Sequence, residues 1–406
     1  MKVFALGGYG KVGLPAIQLL AQSDTVTEIA IAGRNLEQAE WAATEVGEKA
    51  IPVQADGADE QKLTALLAGY DIIINAAYDN LVLPSIRAAI RNKAHYCDAN
   101  IVVEEASVLT TDAASAGITS IVATGVSPNI SNLMGVYVAR QLEEVDQLQL
   151  GRADIYNFQN GDELTPLQWL EEPQKSLAAL REFRQFILWV LGIIQKNGLR
   201  TVRSFNDGRW VETDTFGIGV DVPLTEGGTI TSHPYFVGDP LFPSIPQDLS
   251  IASPVEFLFS PFPRQLHDLL REYSSRVAEG SMDSETATNS FFDKVESDPP
   301  RWLALTDDFA PIPKMWLRAV GRKEGRSARC SCWLTAHMWN VGGYFLTSVA
   351  LAAAVRMILR GEIQERGVIA AEIAFEPLAF FDEVVSLIPD PPPGGKMISE
   401  SFEWLE

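Results

Sequence analysis

Near the start of the chain, Gly8-Tyr9-Gly10-Lys11-Val12-Gly13 places glycines at the spacing G-x-G-x-x-G. That spacing suits a turn that holds a pyrophosphate. Gly8 permits a tight bend, Gly10 lets the backbone approach the phosphates, and Gly13 lets a helix pack closely on a strand. Roughly 20 residues on, where an acid would bond a ribose 2′-hydroxyl, the chain reads Gly33-Arg34-Asn35. A carboxylate there would repel a 2′-phosphate, whereas a guanidinium pairs with one and stacks on adenine. The pair of motifs reads as a site for NADP(H), with an ordinary solvated arginine as the alternative at Arg34. Tyr96 and Asp98 alternate onto one face of a short strand. Asp98 can orient a substrate, hold a developing positive charge or relay a proton; its other reading is a cap for the turn at Asn100. Tyr78 can donate a proton or stack, or simply pack at a rim. Arg152, Arg209 and His233 are candidates for a substrate carboxylate, and each also reads as a solvated or ion-paired surface residue.

These residues need elements to position them. Lys2 to Leu6 is a short apolar strand and Leu14 to Ala21 a helix, so the glycines lie between the two. Further strands are expected at Glu28 to Ala32, Ile51 to Asp56, Tyr70 to Asn75, Ala94 to Asp98 and Ser120 to Thr124, with helices at Asp59 to Ala68 and Pro84 to Lys93. Strands alternating with helices mean an α/β fold, a doubly wound parallel sheet of Rossmann type. Ligands of such sheets bind at the strands' carboxyl ends. That singles out Asp56 for the adenine, Asn75-Ala76-Ala77 and Gly125 for the cofactor, and Asp98. The middle of the chain reads as a second, α+β substrate domain. It has strands at 148–157, 200–220, 229–236 and 328–339, with a turn at Asn206-Asp207-Gly208. Within it, Ser176 to Gly198 is a helix with a wide apolar face: core, dimer contact, or wall of a greasy pocket.

The 406 residues suggest two domains or more. At 47% hydrophobic and 21% charged, the composition is globular. A net charge of −21 argues against nucleic acid and anionic membrane as partners. Three cysteines, Cys97, Cys330 and Cys332, make no disulfide framework, so a cytoplasmic location is expected. Four scattered histidines suggest no metal site. The longest apolar runs are shorter than the roughly 20 residues of a membrane span, and the opening strand shows no cleavable leader.

Together these features resemble the saccharopine dehydrogenase-like family of NADP-dependent oxidoreductases. The resemblance rests on Gly7 to Gly13 (GGYGKVG), Ala32 to Asn35 (AGRN), Ile74 to Asp98 and the G-x-x-P-x-x-x-N run from Gly125 to Asn132. It extends to Ile358 to Val384, like the family's closing segment. The resemblance implies a split architecture. Residues 1–130 form the NADP-binding domain, completed by about 342–385; residues 131–341 form the substrate and dimerisation domain; 386–406 are a loose tail. It implies a homodimer, a small-molecule substrate, and hydride transfer at a C=N or C–N centre of an amino-acid- or polyamine-like compound. Alternatives are reduction of C=C or C=O in a lipid-like or polyketide-like chain, or a non-catalytic NADP sensor. The resemblance puts Pro128 and Asn129 beside the substrate; Asn129 stands where the family has glycine, and Tyr78 where proline is common.

One expectation follows at once. Arg34→Ala should erase a preference for NADPH over NADH, weakening NADPH about 10- to 100-fold, as loss of a charge-assisted bond requires. Paired titrations of both nucleotides check this; equal weakening of the two would leave Arg34 a solvated surface residue.

Overall fold

The computed structural model describes residues 1–100, 103–152, 177, 180–181, 184–198, 201–214, 220–223, 229–234, 249, 251, 255–259, 264–303, 315–335, 337–338 and 341–405. They divide into two units, Met1–Tyr137 with Gly343–Met397, and Val138–Gly342 with Ile398–Glu406.

The first unit begins with β1 (Lys2–Leu6), whose Val3, Phe4 and Ala5 are fully enclosed, as a central parallel strand demands. The chain then alternates: α1 (Gly13–Ala21), β2 (Glu28–Gly33), α2 (Leu36–Val46), β3 (Ala50–Gln54), α3 (Glu60–Leu66), β4 (Ile72–Asn75), α4 (Val82–Asn92), β5 (His95–Asp98), α5 (Val103–Ser107), α6 (Thr110–Ser115), β6 (Thr119–Val122) and α7 (Ile130–Ala139). Helix starts follow local chemistry. Asn35 and Asp59 accept from the backbone N–H three residues on, at 3.2 and 3.1 Å.

The second unit contains β7 (Glu144–Arg152), α8 (Arg184–Asn197), β8 (Thr201–Asn206), β9 (Arg209–Asp214), β10 (Val220–Pro223), β11 (Thr229–Pro234), β12 (Val255–Phe259), α9 (Arg264–Ala278), α10 (Ser284–Ser297), α11 (Pro299–Leu303), β13 (Met315–Lys323) and β14 (Arg326–Leu334). The chain returns to the first unit with α12 (Gly343–Leu359), β15 (Gly367–Ala370), α13 (Ala371–Ala374) and α14 (Pro377–Ser386), and ends in β16 (Ile398–Trp404).

In the first unit the seven strands are parallel, in the order β15-β6-β5-β4-β1-β2-β3. The order reverses between β1 and β4, which leaves the crevice where such folds hold nucleotides. The returning segment supplies α12 against α1 and β15 as the seventh strand. In the second unit a mixed sheet runs β10-β11-β12-β7-β13-β14-β16, with the β8–β9 hairpin attached through β12. Cys330 and Cys332 are buried on one face of β14.

Residues 386–406, expected as a loose tail, are not one. β16 pairs with β14 over seven residues, from Leu334↔Ile398 to Ala328↔Trp404. The alternating sequence Ile-Ser-Glu-Ser-Phe-Glu-Trp suits a strand, but the proline run before it obscured that signal. Phe402 and Trp404 stack edge to face, and Arg326 lies 4.2 Å over the Trp404 ring.

Helix α8 turns its apolar face into a helical core. Ile187, Val190, Leu191 and Ile194 are buried with Leu266, Leu269, Phe291 and Phe292 of α9 and α10. Of the readings for this stretch, core packing is what the described residues display. No described helix is long and apolar enough to cross a membrane. Leu191→Ala should therefore destabilise the second unit by about 2–5 kcal/mol. Urea unfolding reads this; an unchanged midpoint would return the helix to the role of a substrate wall.

Candidate functional site

The glycine turn forms as its spacing requires. Gly7, just ahead of the motif, makes the sharp bend at φ +76° and donates to the Ala32 carbonyl at 2.8 Å. Gly10 N–H donates to the Gly7 carbonyl at 2.9 Å. A Cβ at Gly13 would sit 2.3 Å from that same carbonyl oxygen, so only glycine lets α1 start against the end of β1. The outer side of the turn is held by α12. Ser348 Oγ donates to the Val12 carbonyl at 2.8 Å, and Lys11 Nζ lies 5.4 Å over the Tyr344 ring. Gly8, Lys11, Val12 and Gly13 thus shape the turn without lining the cleft beside it.

That cleft has a volume of about 500 Å³. It brings together Tyr9, Gly10, Gly33, Arg34, Asn35, Asp56, Ala76, Ala77 and Tyr78, all singled out from sequence, with Gly7, Gln38, Gly57, Asn80 and Leu81, which were not. Gln38 lies one helical turn beyond Asn35, its cap; the cap motif was the signal that could have found it. Arg34 is exposed, and among the described residues its guanidinium meets no carboxylate. Its backbone is fixed instead, the carbonyl accepting from Gln54 Nε2 at 3.2 Å. Tyr9 Oη accepts from Asn35 N–H at 3.4 Å, and Asp56 Oδ1 from Ala58 N–H at 3.1 Å. Tyr78 stands at the mouth, 67% exposed. A glycine cradle with a free guanidinium at the ribose end fits a dinucleotide carrying a 2′-phosphate.

Other expected residues lie elsewhere. Gly125 and Pro128 belong to the tight loop after β6, where Gly125 N–H donates to the Pro128 carbonyl at 3.2 Å; Asn129 follows with φ 98°. Neither Gly125 nor Asn129 lines the cleft. Arg209 is exposed at the start of β9, in the turn of a hairpin. Arg152 ends β7 opposite Met315, and His233 pairs with Phe259; their side chains lie outside what is described. The second unit instead shows a cation that sequence reasoning missed. Arg318 Nε donates to Gln149 Oε1 at 3.1 Å, and Gln149 Nε2 donates to Glu256 Oε2 at 2.8 Å. No motif marks this row, because its members come from three separate strands.

At the carboxyl ends of β4 and β5, Asn75, Tyr96 and Asp98 are fully enclosed. Tyr96 Oη donates to Asp98 Oδ2 at 2.5 Å, and Asn75 Nδ2 donates to Tyr96 Oη at 3.5 Å. Asp98 Oδ1 accepts from Ala123 N–H at 3.0 Å and Asn100 N–H at 3.1 Å. Asn75 Oδ1 accepts from Ala77 N–H at 3.0 Å. These side chains lock the strand ends. With no exposed surface, Asp98 and Tyr96 act here as positioning residues, and the turn-cap geometry at Asn100 is present. Burial pushes the Cys97 thiol up to about 12, which leaves no nucleophile on the opposite face.

Burial also pushes the Asp98 carboxyl up to about 7, although Tyr96 and two backbone N–H groups pull it the other way. The folded protein then keeps a proton that the unfolded chain releases near the usual carboxylate pKa. Stability from this group is therefore lost as pH rises from about 4 to about 7 and stays lost above that. Asp98→Asn keeps an acceptor for Ala123 and Asn100 and removes the dependence. Between pH 4 and pH 8, stability relative to wild type should move by up to about 4 kcal/mol in the variant's favour. Parallel pH profiles in urea unfolding would show that the Asp98 carboxyl keeps its ordinary pKa in the folded protein.

Residues 3–121 match the family model described as saccharopine dehydrogenase NADP binding domain. Among solved structures, apo saccharopine dehydrogenase (L-Glu forming) from Saccharomyces cerevisiae matches 99% of this chain and 99% of its own, with TM-score 0.62 and 15% identity. The homospermidine synthase of Legionella pneumophila, in complex with NAD, matches 100% of this chain and 91% of its own, with TM-score 0.52 and 11% identity. These structures share the fold; the domain match supplies the nucleotide. Residues 3–121 are thus an NADP-binding domain of the saccharopine dehydrogenase type, and the chain as a whole shares the fold of these two structures.

Proposed function

We propose that this protein is an NADP(H)-dependent reductase or dehydrogenase acting at a C=N or C–N centre of an amino-acid- or polyamine-like substrate. The observation that carries the reading is the cleft in which the glycine turn and the unpaired Arg34 meet at the carboxyl ends of β1 and β2. When bound, NADPH supplies the hydride. The chain's own residues bind and orient. The turn from Gly7 to Gly13 directs backbone N–H groups and the start of α1 at the pyrophosphate. Arg34 pairs with the 2′-phosphate, and Gln38 and Asp56 border the adenosine. The Asn75–Tyr96–Asp98 network holds the ends of β4 and β5 at fixed height. Tyr78 is the exposed hydroxyl at the mouth that can reach a substrate.

The carbon–nitrogen assignment is supported by the resemblance to the family. The lipid-like alternative drew on the apolar stretch of α8; Ile187, Val190, Leu191 and Ile194 of that stretch pack in the helical core, while Trp189 stays exposed. A homodimer in the cytoplasm belongs to the same reading, with three free, buried cysteines in keeping with a reducing compartment. The test is NADPH oxidation with amines mixed with aldehydes or 2-oxo acids, beside enoyl and oxoacyl thioesters. Turnover with the amine mixtures alone is expected. Turnover only with thioesters would replace the substrate class, and tight NADPH binding with no turnover on any of them would make the protein a sensor.

A further inference from the structure

The adenosine half of the site is accounted for, but one buried polar side chain farther along the same sheet edge is not. Asn129 is fully enclosed, and among the described residues neither its Nδ2 nor its Oδ1 has a hydrogen-bond partner. Its neighbours are satisfied. Ser131 Oγ lies 3.0 Å from Asn132 Oδ1, and Asn132 Nδ2 donates to Glu372 Oε1 at 2.9 Å. The backbone around Asn129 makes its own hydrogen bonds. Ile130 N–H donates to the Gly125 carbonyl at 3.2 Å, and Leu133 N–H to the Asn129 carbonyl at 2.8 Å. Asn129 is held at φ 98°, a conformation glycine takes freely and asparagine tolerates. A side chain is thus kept, in a glycine-like conformation, with both ends of its amide unmet. Enclosed groups of this kind call for a partner.

The chemistry that would satisfy this amide is specific. One amide offers a donor and an acceptor side by side. A carboxylate or phosphate would satisfy only the donor, and an ammonium only the acceptor. A second carboxamide satisfies both in one reciprocal pair. The position agrees. The cleft lies over the ends of β1, β2 and β3 and the segment after β4, and Asn129 follows β6, two strands beyond β4. At about 4.8 Å per strand, that is roughly 10 Å farther along the sheet edge, on the side where the second half of a dinucleotide extends. We propose that Asn129 pairs with the carboxamide of the cofactor's nicotinamide and fixes the rotation of that ring. This rests on the NADP(H) reading above, and it moves Asn129 from the substrate, where the resemblance put it, to the cofactor. The side chain is enclosed, so admitting the carboxamide requires loop 125–129 to shift.

The experiment is a set of equilibrium titrations with NADPH, with 2′-phospho-ADP-ribose, which lacks the nicotinamide, and with the 3-acetylpyridine analogue, which keeps the carbonyl but loses the N–H donor. Wild type is compared with Asn129→Gly, a variant that suits the backbone and so keeps the fold. Loss of the reciprocal pair should weaken NADPH by roughly 5- to 100-fold and leave 2′-phospho-ADP-ribose unchanged. The wild-type preference for NADPH over the acetylpyridine analogue should vanish in the variant. Equal weakening of NADPH and 2′-phospho-ADP-ribose, or no weakening of either, would overturn the pairing while leaving the NADP(H) reading intact. Failure of wild type to bind either ligand would end that reading and this one with it.

Discussion

The close approach of α1 to the end of β1 is the contact on which the nucleotide site depends. Gly13 faces the Gly7 carbonyl with no room for a side chain. Any larger residue would push the start of the helix away and, with it, the N–H groups that an anion needs. The same turn is finished from far off in the chain. The Val12 carbonyl accepts from Ser348, 336 positions later, and α12 lies along α1. The returning segment is thus part of how the turn is held as well as the source of a seventh strand. An ion-paired edge anchors it, with Arg356 and Arg360 both reaching Glu383 at 2.9 Å.

A second constraint runs across the strand ends. Parallel strands buried on both faces are apolar, and a carboxylate among them is costly unless every lone pair is used. Asp98 meets that condition only in part, through Tyr96, Ala123 and Asn100, and burial still raises its carboxyl to about 7. The result ties β5 to the segment after β6, with Asn75 linking β4 through Tyr96. At the opposite end of the strands, His95 Nδ1 accepts from Thr119 N–H at 3.0 Å, and Thr119 Oγ1 donates to the Glu365 carbonyl at 2.7 Å. Polar ties at both ends set the register that the apolar middle leaves loose. The chemistry of Asp98 is therefore felt through the heights of the loops it holds.

The second unit follows another logic. Its sheet keeps one apolar face, with Leu148, Leu150, Leu317, Cys330 and Cys332 buried, and carries the row Glu256, Gln149 and Arg318 on the other. Arg318 cannot shed its charge, and the neutral Gln149 amide lies between it and Glu256. Beside it, Trp316 lies so close over Gly151 that a Cβ there would be 1.8 Å from the ring.

What was legible in the sequence was local. The glycine spacing, the apolar strands and the missing acid after β2 all depend on residues a few positions apart. They sufficed for the parallel sheet, for the cofactor class and for most of the cleft lining. The alternation of Tyr96 and Asp98 placed them on one face, but their enclosure could not be read there, because burial is decided by Ala123 and by strands from elsewhere in the chain. The proline run hid β16, whose pairing with β14 spans 64 to 76 positions and leaves no local trace. Arg318 carried no signal for the same reason: its partners come from β7 and β12. The orphaned amide of Asn129 is the sharpest case. The sequence by itself determined that an asparagine follows Pro128 in that loop; only the tertiary structure decided that its amide is buried with both ends unmet among the described residues, since hydrogen-bond satisfaction is a property of surroundings and not of residue type.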